Sequence, residues 1–269
     1  MLPYLKRCIA SVADQGVSNL EHIIVDGGST DGTVEWLKAN PMPHLRWISE
    51  KDSGMYDAVN KGLRMAKGEI LAYLNCDEQY LPRTLQFVSQ YLEKHTSFDI
   101  IFGDLLLIRP DGQLVAFRKS YMPRWRYILT SHLYVLTCTM FFRRTIIDSG
   151  LFFDTSYKAV ADAHFVVRVL RSRFKPWYVR EYFAAFTITG KNMSINPEAI
   201  LEQKQLLDAA PLYVRLLKYP LDGLRLFEKF MSAAYKQVTP LKYSVYIDEP
   251  FDKRKDFVAE DVSPWWSYE

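Results

Sequence analysis

The feature that most limits the folds open to this 269-residue chain is a short apolar run ending abruptly in acids and glycines. Ile23-Ile24-Val25 is followed at once by Asp26-Gly27-Gly28-Ser29-Thr30-Asp31-Gly32-Thr33. The run is too short and too β-branched for a helix core and reads as a buried strand. Gly27 and Gly28 let the backbone turn sharply and approach a ligand closely. Ser29 or Thr30 can then cap a helix that carries Val34 and Leu37. Residues 70–74 repeat the pattern and run straight into Asn75-Cys76-Asp77-Glu78. Carboxylates at the carboxyl ends of strands, over such turns, are where open α/β sheets bind ligands.

Around these two turns, strands alternate with helices. Residues 4–15 form an amphipathic helix with Leu5, Ile9 and Val12 on one face. Residues 45–48 predict a strand, and 54–66 a helix through Met55, Val59 and Leu63 that stops at Gly68. Pro82 opens a helix carrying Leu85, Val88 and Leu92. A strand follows at 100–102, and Pro110-Asp111-Gly112 turns a hairpin between 105–108 and 114–117. Farther on, 139–143 predicts a strand, 144–149 a short helix, 161–173 a helix, and 177–179 and 184–188 two strands. After a polar loop at 190–196, Asn196 and Pro197 make an N-cap and N1 pair for a helix to about Ala210. Residues 212–237 are helical in pattern with a break at Pro220, and the tail from Lys242 shows no clear period.

The expected class is therefore α/β, a mixed, mainly parallel sheet flanked by helices. It is placed over residues 1–190, with 191–269 a helical C-terminal extension and irregular tail. A net charge of only +3 does not point to a nucleic-acid partner, and none is expected. Cys8, Cys76 and Cys138 are an odd set without CxxC spacing, read as reduced thiols of a cytoplasmic protein. There is no signal-peptide pattern, and no apolar run approaches the ~20 residues of a membrane span.

Four polar clusters fall at element ends: Asp26 with Asp31, the segment 49–62, the turn 75–78, and Ala161-Asp162-Ala163-His164. Acids converging on one sheet edge suit a hard divalent cation, which takes oxygen ligands and completes its shell with water and substrate phosphate.

Three of these stretches carry a resemblance. Asp26–Thr33, Asp52-Ser53-Gly54-Met55-Tyr56-Asp57-Ala58-Val59-Asn60-Lys61-Gly62 and Leu74-Asn75-Cys76-Asp77-Glu78 resemble family 2 glycosyltransferases, over about residues 4–189. The resemblance implies a GT-A-like fold and an inverting transfer of a sugar from a nucleotide diphosphate, usually a UDP-sugar. The implied acceptor is a glycan or lipid-linked molecule in surface polysaccharide assembly. Asp26 matches the carboxylate that reads the nucleotide base. Gly28 and Asp31 share its turn, and Asp52 lines the nucleotide pocket. Asp77 matches the last acid of the DxD motif, which holds Mn²⁺ or Mg²⁺ on the diphosphate. Asn75 stands where the first acid would be, on the sugar or ribose side, and Asp162 matches the general base.

Plainer readings stand beside these. Asp31 can serve as a helix first-turn charge, Lys61 as a solvated helix charge, and His164 as a structural residue. Two departures from the family pattern follow. Relatives place His-Gln before the stretch corresponding to Thr139-Met140-Phe141-Phe142-Arg143-Arg144, where this chain has Thr137-Cys138. The family also places a strand ahead of the first helix, and its lack here predicts an unpaired groove in the central sheet beside residues 23–25. The alternative that follows is a nucleotide-sugar binding module without turnover. Arg215, Lys218, Arg225, Lys229 and Lys236 are interleaved with Leu216, Leu217, Leu224, Leu226, Phe227, Phe230 and Met231. That pattern suits either a helix packed on the catalytic domain or peripheral contact at the inner face of the cell membrane.

Overall fold

The computed structural model of the chain describes residues 1–190 and 197–264. Its first half runs α1 (Leu2–Ala13), β1 (His22–Asp26), α2 (Thr33–Ala39), β2 (Leu45–Ser49), α3 (Met55–Met65), β3 (Ile70–Leu71), β4 (Glu78–Tyr80) and α4 (Thr84–Lys94). Then come β5 (Ile100–Ile108), β6 (Leu114–Arg118), α5 (Trp125–Thr130), β7 (Met140–Arg143), α6 (Thr145–Asp148), α7 (Ala161–Arg171) and β8 (Pro176–Thr187). The chain closes with α8 (Pro197–Asp208), α9 (Leu212–Leu216), α10 (Lys218–Met231), β9 (Leu241–Val245) and β10 (Lys255–Ala259).

The spine is β5, whose nine residues are all buried. Its side chains alternate between two faces, as a pleated strand requires. Ile100 and Phe102 enter the core beneath α5 and α7, while Ile101, Leu105 and Leu107 enter the core that includes Val88 and Leu92 of α4. One edge of β5 carries β8 in parallel. The other carries β7 and then β6, both antiparallel. The full order is β3-β7-β5-β8-β4, and β1 and β2 form a separate parallel pair. The α/β class with flanking helices is as expected, but the sheet is less parallel than the alternation suggested. Only β1–β2 and β5–β8 run parallel among the described strands. Of the antiparallel neighbours, β6 returns from β5 through a tight turn, whereas β7 and β4 meet β5 and β8 across longer stretches of chain that include helices.

Several elements differ from the sequence pattern for identifiable reasons. The two strands expected at 177–179 and 184–188 are one, β8, because its neighbour β5 spans the whole length. The strand expected at 70–74 is only Ile70–Leu71, whose ladder to β7 stops after two residues. The helix break near Pro220 falls at Leu217, so the proline sits in the first turn of α10, where it is tolerated. The tail without clear period forms the antiparallel hairpin β9–β10, with Leu241, Tyr243 and Val245 turned inward against Leu106, Ile108 and Phe117. The proposed Asn196 cap lies outside the described residues.

The expected groove is present. β1 pairs with β2 alone and β3 with β7 alone, and between them lies a groove of about 1270 Å³. Its apolar wall includes Leu5 and Val12 of α1, Ile24 and Val25 of β1, and Leu71 of β3.

The C-terminal segment shares the cores of the preceding residues, through Leu206, Ala210, Val214 and Ala234. Arg180 on β8 ties it in place, donating to Asp104 Oδ1 at 3.1 Å and to the Ser232 carbonyl at 2.8 Å. Among the described residues, no helix is long and apolar enough to cross a membrane.

Candidate active site

The first cluster is built around Asp26, the buried last residue of β1. Its Oδ2 accepts the backbone N–H groups of Gly28 at 3.1 Å and Ser29 at 3.0 Å, and the Ser49 hydroxyl at 2.6 Å. Burial works against its charge, but the hydrogen bonds from Ser29, Ser49 and Gly28 prevail and hold the carboxyl below its ordinary range. Asp26 thus locks its own glycine turn and joins it to the end of β2. Gly28 adopts φ +86°, a conformation that side chains rarely tolerate. A Cβ on Gly27 would lie 2.6 Å from Asp52 Oδ2, so the turns after β1 and β2 meet at that glycine.

Asp31 serves the helix starts. Its Oδ2 takes the N-terminal ammonium and the Leu2 N–H, and its Oδ1 takes the Thr33 hydroxyl at 2.6 Å. The ammonium and Thr33 hold its carboxyl far below the usual range. Lys61 is engaged by Glu50 at 2.8 Å and by Asp57 at 3.5 Å. Asp52 Oδ1 caps the turn into α3 by accepting the Gly54 N–H at 3.0 Å.

The turn after β3 is held from inside. Buried Glu78 accepts the Asn75 N–H at 2.7 Å and the Asn75 Nδ2 at 3.2 Å. Burial, reinforced by the charge of Asp77, pushes the Glu78 carboxyl up to about 8. Asp77 and Glu78 both line the groove, and burial raises the Asp77 carboxyl above the ordinary value. Cys76 also lines the groove, but burial lifts its thiol to about 11, which leaves it a poor nucleophile. All three cysteines are free.

Asp162 sits in the first turn of α7 and accepts the Ala163 N–H at 2.7 Å. The Tyr56 hydroxyl lies against its carboxylate and also donates to the Ala159 carbonyl at 3.3 Å. Burial raises the Asp162 carboxyl to about 6, the range of a base that works near neutral pH. His164, two residues on, faces Asp154 at 3.8 Å.

The groove therefore brings Asp52, Asn75, Asp77 and Asp162 to one lining, from the loop before α3, the turn after β3 and the first turn of α7. Asp26 and Gly28 stand behind it at the Asp52 contact, and Asp31 faces α1 and α2. Two more residues complete the arrangement, Tyr56 within the second motif and Glu202 outside the motifs. Tyr56 bridges α3 to Asp162, and Glu202 on α8 pins the segment before α7. The signal for Glu202 was an acid spaced by four from Leu206 and by eight from Ala210, on the face that is buried.

Among the described residues, no three His, Cys, Asp or Glu side chains converge on a point. An all-protein cation cage is thus not offered. The donor set at the 75–78 turn is the carboxylates of Asp77 and Glu78, both on the groove lining, with Glu78 already engaged by Asn75. This fits a hard divalent cation that takes one protein acid and otherwise binds phosphate and water.

Comparison with known proteins agrees with this geometry. Residues 2–151 match the model of glycosyl transferase family 2. A PGL/p-HBAD biosynthesis glycosyltransferase of Mycobacterium bovis is 25% identical over 249 residues, 89% of this chain and 91% of that one. Escherichia coli chondroitin synthase is 29% identical over 115 residues, 42% of this chain and 17% of that one. In fold, the chain resembles Staphylococcus aureus TarS in complex with UDP-GlcNAc, with TM-score 0.60 and 15% identity over 97% of this chain and 96% of that one. It also resembles the mannosyltransferase PcManGT of Pyrobaculum calidifontis in complex with GDP-Man and Mn²⁺. The TM-score there is 0.56 and the identity 16%, over 88% of this chain and 73% of that one.

Proposed function

Since the chain belongs to glycosyl transferase family 2 and has the GT-A fold, we propose that it moves a sugar from a UDP-sugar to a glycan or lipid-linked acceptor with inversion at the sugar carbon. Surface polysaccharide assembly is the setting we assign, at the inner face of the cell membrane. Residues 1–190 carry the transfer machinery in this reading, and 191–269 form the extension beside the acceptor side. The observation that carries it is the shared groove lining of Asp52, the Asn75–Asp77 turn and Asp162, three places distant in sequence.

The division of labour follows from their surroundings. Asp26 and Asp52, joined at Gly27, address the nucleotide, and Asn75 addresses the sugar or ribose. Asp77 would hold Mn²⁺ or Mg²⁺ together with the donor diphosphate. When bound, such a cation offsets the negative charge that grows on the leaving diphosphate. The acceptor hydroxyl oxygen attacks the anomeric carbon opposite the diphosphate, and its proton passes to the Asp162 carboxylate. The bond between carbon and diphosphate oxygen breaks, and its electron pair leaves on the nucleotide. One base and no covalent nucleophile make this a single displacement, as in inverting hydrolysis.

A second reading is a chain that binds donor without turnover. Titration of UDP by calorimetry, with and without Mn²⁺, followed by a turnover screen over nucleotide sugars, separates the two. Binding with turnover supports transfer. Binding without turnover on any donor supports the module, and no UDP binding at all overturns both.

A further inference from the structure

Helix α10 is inside out. At helical spacing, Asp222, Arg225 and Lys229 form one stripe, with Glu228 beside it, and this polar side faces the protein. Asp222 accepts the Thr130 hydroxyl at 2.8 Å, and Glu228 accepts Arg124 Nε at 2.8 Å and the Tyr127 hydroxyl at 2.9 Å. Arg225 donates to the Tyr121 hydroxyl at 3.2 Å. The opposite stripe is Leu224, Phe227 and Met231, with Phe230 beside it, and these four side chains are 51–66% exposed. No residue of α10 is buried. Leu212 and Leu216 of α9 extend the apolar surface, at 62% and 72% exposure. A surface helix of a water-soluble domain normally turns its apolar stripe inward. An apolar patch this extended marks a docking surface.

The charges indicate what docks. Residues 212–238 hold five basic residues and two acids, and both acids, Asp222 and Glu228, are bound to α5. What remains in solvent beside the apolar stripe is basic, with Arg215 and Lys236 both exposed. A second copy of the same face would set these cations against their own kind, which disfavours self-association. Apolar side chains flanked by cations match the acyl boundary and headgroups of an anionic bilayer. We propose that α9 and α10 lie in the interface of an anionic lipid membrane, with Leu216, Leu224, Phe227, Phe230 and Met231 in the acyl layer. Helix α10 packs on α5, and α5 packs on α7, which carries Asp162. Two helix spacings, about 20 Å, then separate the lipid surface from the α7 layer, within reach of a lipid-linked acceptor.

The test is cosedimentation of the full chain with two vesicle types. One contains phosphatidylcholine and phosphatidylglycerol in equal amounts, and the other phosphatidylcholine alone. Strong binding to the anionic vesicles, weakened by salt, is expected. The double variant Phe227→Glu/Phe230→Glu should lower that binding by about tenfold or more. Its thermal melt should be unchanged, because neither ring is buried. Arg215→Glu/Lys236→Glu should remove the preference for anionic vesicles and likewise leave the melt in place. No wild-type binding at low salt overturns the proposal. So does unchanged binding of Phe227→Glu/Phe230→Glu, or sedimentation showing a dimer that this variant dissolves. These readouts involve no sugar transfer, so they stand apart from the catalytic reading.

Discussion

Glu202 accepts the backbone N–H of Val160 at 3.0 Å, two residues before Asp162, and through the same carboxylate those of Ala159 at 2.8 Å and Lys158 at 2.6 Å. A helix N-terminus leaves such donors without intrahelical partners. Here a buried acid from α8 supplies an acceptor for the N-cap residue Val160 and for the two residues leading into it, and so fixes the entry to α7. Glu202→Ala should cost about 2–4 kcal/mol of stability in urea unfolding, because three backbone donors lose their acceptor. Glu202→Gln keeps an acceptor and should cost less. Both should also move the acid limb of the pH–rate profile. Burial is the main cause of the raised Asp162 carboxyl, and the Glu202 charge adds to it. Removing that charge should therefore shift the limb to lower pH. A merely structural role would reduce the rate without moving the midpoint.

Asp162→Asn should lower turnover by about 10²–10⁴, the usual worth of a positioned base, while UDP affinity stays within about twofold. The wild-type rate should fall as pH drops through about 6, because protonation removes the base, and should be level above it. The same raised value makes a stability statement. The native state holds this proton more tightly than the unfolded chain, so ionising Asp162 above that range costs stability. Asp162→Asn should accordingly melt no lower than wild type at neutral pH, in contrast to Glu202→Ala. Normal turnover by Asp162→Asn would remove it from the mechanism.

What was readable in the sequence was local, and what was not depended on distant neighbours. The turn after Val25, the turn after Leu74 and the start of α7 each announce themselves by an acid after apolar residues. Their convergence on a groove follows once strands and helices alternate. Sheet direction was less legible. Whether residues 100–108 form one strand or two depends on β8 lying alongside, which no window of β5 contains. Hairpin β9–β10 gains its order from Phe117 and Ile108, far back in the chain. Glu78 belongs with these. It looks like a further acid of the motif, yet it is buried and serves Asn75. Only burial could reveal that α10 turns its apolar stripe outward, since periodicity fixes that a stripe exists but not which way it faces.

The pairing of Asn75 with Glu78 bears on the metal reading. Asn75 Nδ2 donates to Glu78 Oε1 at 3.2 Å, something an aspartate could not do. Asn75→Asp restores a second acid to the motif. It should therefore destabilise the chain by about 1–3 kcal/mol above pH about 8, where Glu78 is ionised and a second carboxylate is set against a buried one. Asp77→Ala leaves that pairing intact and should keep the fold. It should also remove the Mn²⁺-dependent gain in UDP affinity and abolish transfer. Calorimetric titration with UDP, with Mn²⁺ present or chelated, reads the affinity term. Equal Mn²⁺ dependence in Asp77→Ala and wild type would place the cation elsewhere.

Gly27 tests whether the turns after β1 and β2 form one nucleotide seat. A methyl group there would stand 2.6 Å from Asp52 Oδ2 and 3.2 Å from its carboxyl carbon, too close for an undisturbed contact. The obstacle is the far end of a side chain rather than backbone, so Asp52 can swing aside and the fold should survive. Swinging aside breaks its bond to the Gly54 N–H, now 3.0 Å long, which caps the entry to α3. Gly27→Ala should thus cost about 1 kcal/mol of stability. If Asp52 addresses the nucleotide, it should also weaken UDP binding by about tenfold. Asp52→Ala separates the two effects, since it loses the same cap without crowding the turn. UDP affinity should fall alike in both variants and no further in the double variant, as expected of two residues acting through one contact. Additive losses would mean that Gly27 and Asp52 meet the nucleotide independently.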